Sequence, residues 1–219
     1  MDRLDLRRVP RSSTALVVVD VQPDFMPGGA LAVAEGDRIV SPIGRLMASG
    51  AFGACVATQD WHPRGHVSFA SAHPGREPFD VIDLYGHEQT LWPDHCVQGS
   101  PGAELHPGLP LDRLDAIIRK GFYLRSDSYS GFRNNWNEMG ERPPTGLDGY
   151  LRNRGIQEVY VCGLARDVCC WWTAQDAAES GFKTILLWDL TRSVRPQGDA
   201  ALLADLRRRG IVPLTVGGS

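Results

Sequence analysis

Residues Ala15 to Val21 read Ala-Leu-Val-Val-Val-Asp-Val, a run that is apolar at consecutive positions and broken by one acid. Successive side chains of a strand face opposite sides, so a strand with no polar face is covered on both, as in a parallel sheet flanked by helices. The acid is therefore an anomaly. Asp20 is a charge delivered to the carboxyl end of a buried strand.

The same pattern returns along the chain. Phe52 to Thr58, Ala116 to Arg119, the run opening at Val159, Lys183 to Asp189 and Ile211 to Thr215 read as further strands. Between them, Arg38 to Ala48 carries Ile39, Ile43 and Met47 at helical spacing, Leu147 to Asn153 is stopped by Gly155, and Asp199 to Arg209 by Gly210. Five or six strands alternating with helices predict an α/β fold, a three-layer α/β/α sandwich around a mostly parallel sheet with right-handed crossovers. The 219 residues, 42% of them hydrophobic, suffice for one core, so residues 1–219 form a single domain with 1–13 and 216–219 as flexible termini. Asp60 to Pro110 is long, rich in Pro, His and Gly, and weakly periodic. Its aromatic content argues for a functional loop over a disordered one.

Charge and cysteine usage narrow the classes. A net charge of −3 offers no basic stripe for nucleic acid and no polybasic patch for a membrane. The first thirteen residues hold four arginines but no apolar run, and no later stretch approaches bilayer length. Five cysteines, an odd number with Cys169 and Cys170 adjacent, fit a reducing, cytoplasmic compartment. Whether the chain forms a homo-oligomer stays open.

Sites in open parallel sheets gather beyond the carboxyl ends of the strands. Asp20, Asp60, Lys120 and Cys169 each fall at or just past such an end, so the topology brings them to one crevice. Val159 to Trp172 reads Val-Tyr-Val-Cys-Gly-Leu-Ala-Arg-Asp-Val-Cys-Cys-Trp-Trp: a strand, a turn allowed by Gly163, and a helix that Asp167 can cap. Cys169 in the first turn of that helix suits a nucleophile, because unpaired N–H groups and the helix dipole favour a thiolate. Lys120 then stabilises nearby anions and Asp20 accepts the thiol proton.

A second constellation is Asp60-Trp-His62-Pro-Arg-Gly-His66, joined by His95 of Trp92-Pro-Asp-His-Cys96. Two imidazoles and a carboxylate with open positions suit one divalent transition ion, with Zn, Fe and Mn all compatible. His66 is either a further ligand or a loop histidine orienting Asp60, and Cys96 points the other way along the chain. His73, His87 and His106 read as facing solvent.

Five segments in this order resemble the nicotinamidases of the isochorismatase-like cysteine hydrolases, over Thr14 to Thr215. They are Val-Val-Asp20-Val-Gln-Pro-Asp-Phe25, Gln-Asp60 through Phe69, Trp92-Pro-Asp-His95-Cys-Val-Gln, Lys120-Gly followed by Asp127-Ser-Tyr129-Ser-Gly-Phe132, and Gly163-Leu-Ala165-Arg-Asp-Val-Cys169. The resemblance implies a six-stranded sheet, a catalytic triad of Asp20, Lys120 and Cys169, and a metal on Asp60, His62 and His95, with zinc first among the ions and His66 left open. It also implies oxyanion donors on the backbone of Ala165 and Cys169, a cis Leu164–Ala165 peptide, and a substrate pocket of Phe25, Trp92, Tyr129, Leu164 and Ala165. The implied reaction is nicotinamide to nicotinate and ammonia through a cysteine thioester, with pyrazinamide as a second substrate and NAD salvage as the setting. The alternatives are a related amidohydrolase acting on a maleamate or carbamoyl compound, or a non-catalytic metal-binding or redox-sensing domain. Cys170 and Trp171-Trp172 depart from the pattern; they imply a bulkier core or a subunit contact.

Overall fold

A computed structural model describes residues 1–217. The strands are β1 (Asp2–Arg3), β2 (Thr14–Val19), β3 (Ala54–Asp60), β4 (Val81–Leu84), β5 (His87–Thr90), β6 (Ala116–Lys120), β7 (Glu158–Leu164), β8 (Lys183–Arg192) and β9 (Val212–Thr215). The helices are α1 (Val40–Ala48), α2 (Leu147–Asn153), α3 (Trp171–Glu179) and α4 (Asp199–Arg208). Seven strands form one sheet in the order β1-β9-β8-β7-β2-β3-β6, and each described pairing in it is parallel. The six expected strands are all present. The seventh, β1, is a two-residue edge strand within the segment expected to be a loose terminus, and Leu4 and Leu6 after it pack on the core. At the other end Val216 and Gly217 donate backbone N–H groups to Asp189, while Gly218 and Ser219 lie outside the described residues.

All six residues of β2 are buried, as its unbroken apolar run requires. Leu16 and Val18 face one core cluster with Ile43, Leu46 and Met47 of α1. Ala15, Val17 and Val19 face the other, with Leu147 and Leu151 of α2, Ala174 of α3 and Leu206 of α4. Each fully buried Val or Leu there contributes about 1.5–3 kcal/mol. Gly163 is required where β7 pairs with Val19 of β2, because a Cβ on it would lie 2.0 Å from the Val19 carbonyl oxygen. The long loop from Asp60 is not featureless: it holds the antiparallel β4–β5 hairpin, turned at Tyr85 and Gly86, both with positive φ. Among the described residues no helix is long and apolar enough to cross a membrane.

Candidate active site

The turn after β2 supplies Asp20 and much of what fixes its neighbours. Asp20 has φ +46, uncommon for a residue with a side chain, and its backbone N–H donates to Thr58 Oγ1 at 3.2 Å. The Thr58 hydroxyl in turn donates to Asp20 Oδ1 at 2.6 Å. Two residues on, the Gln22 amide bonds both sides of the Asp60 peptide group, accepting from its N–H at 2.8 Å and donating to its carbonyl at 2.9 Å. Asp24 Oδ2 accepts from the Cys96 N–H at 2.7 Å and so sets the residue next to His95.

Lys120 is the hub. Fully buried at the end of β6, its Nζ lies 2.9 Å from Asp20 Oδ2, 2.5 Å from Asp60 Oδ1, 3.0 Å from the Ser128 carbonyl and 3.5 Å from Cys169 Sγ. The two carboxylates hold its ammonium charged against the cost of burial. Asp20 Oδ2 stands at ion-pair distance from Lys120 yet accepts no hydrogen bond among the described residues, so one lone pair is free for a proton. Burial raises the Asp20 carboxyl to about 6, with Lys120 opposing. Burial also pushes the Cys169 thiol up, again with Lys120 opposing, so the resting sulfur is a thiol and not the thiolate that its place in a helix predicts. A neutral thiol beside a carboxylate with a free lone pair is a donor and acceptor poised for one transfer.

Asp60, His62 and His95 offer donor atoms that all lie within 4.8 Å of one another. His62 Nδ1 is 2.9 Å from the Gly121 carbonyl and His95 Nδ1 2.8 Å from the Pro93 carbonyl. A carbonyl can only accept, so each Nδ1 carries the hydrogen, which leaves the Nε2 lone pairs facing Asp60 Oδ2 at 3.7 and 3.9 Å. Three electron pairs converging on one point fit a bound cation, and outer bonds of this kind are what orient metal-binding histidines. His95 is held near 4 by burial and by His62, so its ring is a free base at neutral pH. Gly121 has to be glycine, since a Cβ would sit 2.3 Å from His62 Cε1. Phe69, fully buried, lies 5.4 to 5.6 Å from the His62, His66 and His95 rings and packs all three.

Cys169 and the donor trio open onto one pocket of about 370 Å3, mouth included. Phe25, Trp92, Tyr129 and Ala165 line it. The matching of residues 14–217 to the isochorismatase domain family spans nearly the whole chain. The chain belongs to the isochorismatase family. It is 48% identical over 195 residues to a nicotinamidase of Acinetobacter baylyi, covering 89% of this chain and 88% of that one. Among solved structures, a nicotinamidase/pyrazinamidase of Acinetobacter baumanii superimposes with a TM-score of 0.88 at 45% identity, covering 94% of this chain and 98% of the other. A pyrazinamidase of Pyrococcus horikoshii, solved in complex with zinc, gives 0.73 at 36% identity, covering 93% and 99%.

Within this isochorismatase-family site some residues fall elsewhere than the sequence suggests. Leu164 does not line the pocket; its side chain is wholly within the core cluster on the α1 side, because it shares the strand face of Cys162. The His66 ring lies 4.3 Å from that of His62, tilted by 36°, with Nδ1 2.7 Å from Ser68 Oγ and Nε2 3.3 Å from the Ser126 carbonyl; it groups with His62 and Asp127 and not with the Asp60, His62 and His95 trio. Asp167 does not cap a helix. Residues Arg166–Cys170 form a π turn, and the Asp167 carboxylate instead accepts from the Val194 and Arg195 N–H groups. The Leu164–Ala165 peptide is cis. Trp171 donates to Asp205 and Trp172 tilts against Tyr129 at 5.9 Å, and both side chains are half-buried. Asp127, Val168 and Val194 line the pocket unannounced. Asp127 and Val168 belong to the segments that carry the family resemblance, and Val194 does not.

Proposed function

We propose that this chain hydrolyses nicotinamide to nicotinate and ammonia, and pyrazinamide likewise, through a thioester on Cys169, in the service of NAD salvage. The observation that carries the reading is Lys120 Nζ, within 3.5 Å of Asp20, Asp60 and Cys169, the last two of which line an aromatic-walled pocket. Asp20 takes the thiol proton, and the sulfur adds to the carboxamide carbon while the backbone N–H groups of Ala165 and Cys169 hold the oxyanion. As the C–N bond breaks, Asp20 returns its proton to the departing nitrogen, giving ammonia. Asp20 then takes a proton from water as its oxygen adds to the thioester carbon; the C–S bond breaks, Asp20 returns that proton to the leaving sulfur, and the released acid loses its own proton to become nicotinate. Asp60, His62 and His95 would hold a divalent ion, zinc by preference and iron or manganese as alternatives, which would supply Lewis-acid chemistry toward the ring nitrogen. Phe25, Trp92 and Tyr129 present flat surfaces to a planar ring, which an acyclic amide uses less well. The five cysteines are all unpaired, which supports a cytoplasmic setting.

The test is ammonia release from nicotinamide, pyrazinamide and a panel of acyclic amides, with and without chelator. Ring amides are expected to turn over and acyclic ones to lag; the reverse order overturns the reading. His62→Ala is expected to raise KM for ring amides before it lowers kcat, and to weaken zinc binding by at least about tenfold in a competition titration. Because Asp20 acts as its carboxylate and titrates near 6, kcat/KM is expected to fall about tenfold per pH unit below that value and to level off above it. A profile flat from pH 5 to 7 would exclude Asp20 as the base.

A further inference from the structure

The active-site pocket adjoins an outer chamber, and the wall the two share forms a neck of four side chains. The reaction pocket and a second space of about 480 Å3 share four wall residues, Trp92, Tyr129, Val168 and Val194. Cys169 and His62 belong only to the inner space, Trp172 and Arg195 only to the outer. A substrate arriving through the outer chamber passes the four shared side chains before it reaches sulfur.

The two halves of the neck are held differently. On the aromatic side, Trp92 Nε1 donates to the Tyr129 hydroxyl at 3.2 Å and Gln89 Nε2 to the same oxygen at 2.9 Å. That half is braced side chain to side chain. On the aliphatic side, Val194 lies in the loop between β8 and α4, and its N–H donates to Asp167 Oδ1 at 2.8 Å while the Arg195 N–H donates to Asp167 Oδ2, also at 2.8 Å. Asp167 is two residues before Cys169 in the π turn, so one carboxylate ties the loop to the turn that carries the nucleophile. Two charge-assisted bonds of this kind outweigh the packing of one half-buried valine in fixing where that wall stands.

We propose that Val194, held in place by Asp167, is the specificity-determining wall that limits this site to single-ring aromatic amides, a reading that rests on the aromatic amidohydrolase function proposed above. Truncating Val194 removes bulk on the half of the neck that has no side-chain bracing. In Asp167→Asn the amide oxygen keeps one N–H partner, while the amide nitrogen meets the other donor and pushes the loop away. Both changes widen the neck and leave the triad and the metal donors untouched.

The experiment compares the parent, Val194→Ala, Val194→Phe and Asp167→Asn by ammonia release from nicotinamide and from quinoline-3-carboxamide, whose fused second ring is the smallest step up in width. In Val194→Ala and Asp167→Asn the ratio of kcat/KM for the bicyclic over the single-ring amide is expected to rise at least about tenfold, the scale on which small changes in an apolar pocket discriminate. Val194→Phe is expected to raise KM for nicotinamide with kcat within about threefold of the parent. A purely structural role would lower both substrates together and leave the ratio where it was. An unchanged ratio in Val194→Ala with parent-like thermal melting overturns the proposal, and so does a parent-like KM in Val194→Phe. Should the parent itself release no ammonia from nicotinamide, the proposed function fails separately. The neck is then tested by calorimetric affinities of the two ring amides for the parent and Val194→Ala, with the same tenfold change in ratio expected and an unchanged ratio against it.

Discussion

Cys169→Ala is expected to lower ammonia release from nicotinamide by roughly four to six orders of magnitude, the scale seen when the nucleophile of a catalytic set is removed. Binding is expected to survive. The pocket walls, the Asp60, His62 and His95 donors and the Lys120 ion pairs do not depend on the sulfur, so the calorimetric Kd for nicotinamide should stay within about threefold of the parent. No other thiol can stand in. Cys170 is next in sequence but is sealed in the core, and Cys96, Cys55 and Cys162 are buried away from the pocket lining. Residual turnover at the parent's rate would remove sulfur from the chemistry altogether. A parallel loss of binding would instead mean that Cys169 shapes the pocket and that the nucleophile lies elsewhere.

The convergence of Asp20, Asp60, Lys120 and Cys169 was legible because a parallel sheet does the gathering, whereas His62 and His95 lie in the long loop from Asp60 and were read from their spacing. Once β2, β3, β6 and β7 are read from their apolar runs, Asp20, Asp60, Lys120 and Cys169 must end at one edge, whatever their separation in sequence. Thr58, Gln22 and Asp24 were not legible as supports. Each acts through long-range hydrogen bonds, Thr58 and Gln22 through more than one, and such bonds leave no period in the sequence. Asp167 misled for a related reason: a carboxylate at a helix start satisfies a capping pattern, but its partners lie 27 and 28 residues onward in a loop. The β4–β5 hairpin escaped because Val81 and Glu88 face solvent and its turn uses Tyr85 at φ +57, where asparagine or aspartate would have signalled the bend. Spacing made His66 a candidate ligand. Only the positions of Ser68 and Ser126 show that both its nitrogens are engaged.

Lys120→Met is expected to damage stability as much as activity. The substitution keeps most of the apolar stem and removes the one ammonium that faces two buried carboxylates, Asp20 and Asp60. Breaking a buried pair by deleting one partner costs about 3–5 kcal/mol, and for a chain of this length that is roughly 6–20 °C of Tm. The pH dependence separates this cause from lost packing. Burial alone would raise the Asp60 carboxyl, but Lys120 and then His62 hold it well below its usual range, so its contribution is present above its unfolded value near 3.8 and is lost as pH falls. Lys120 is raised above 10.5 by the same carboxylates, so its contribution is present below that value and is lost as pH rises through its folded value. The gap in unfolding free energy between parent and variant should therefore be widest from about pH 6 to 10 and should narrow on acidification, as the stranded carboxylates take up protons. A gap of equal size at pH 4 and pH 8 would show that Lys120 is there for its bulk. In that case nothing would hold Asp20 ionised, and the route of the thiol proton would need another acceptor.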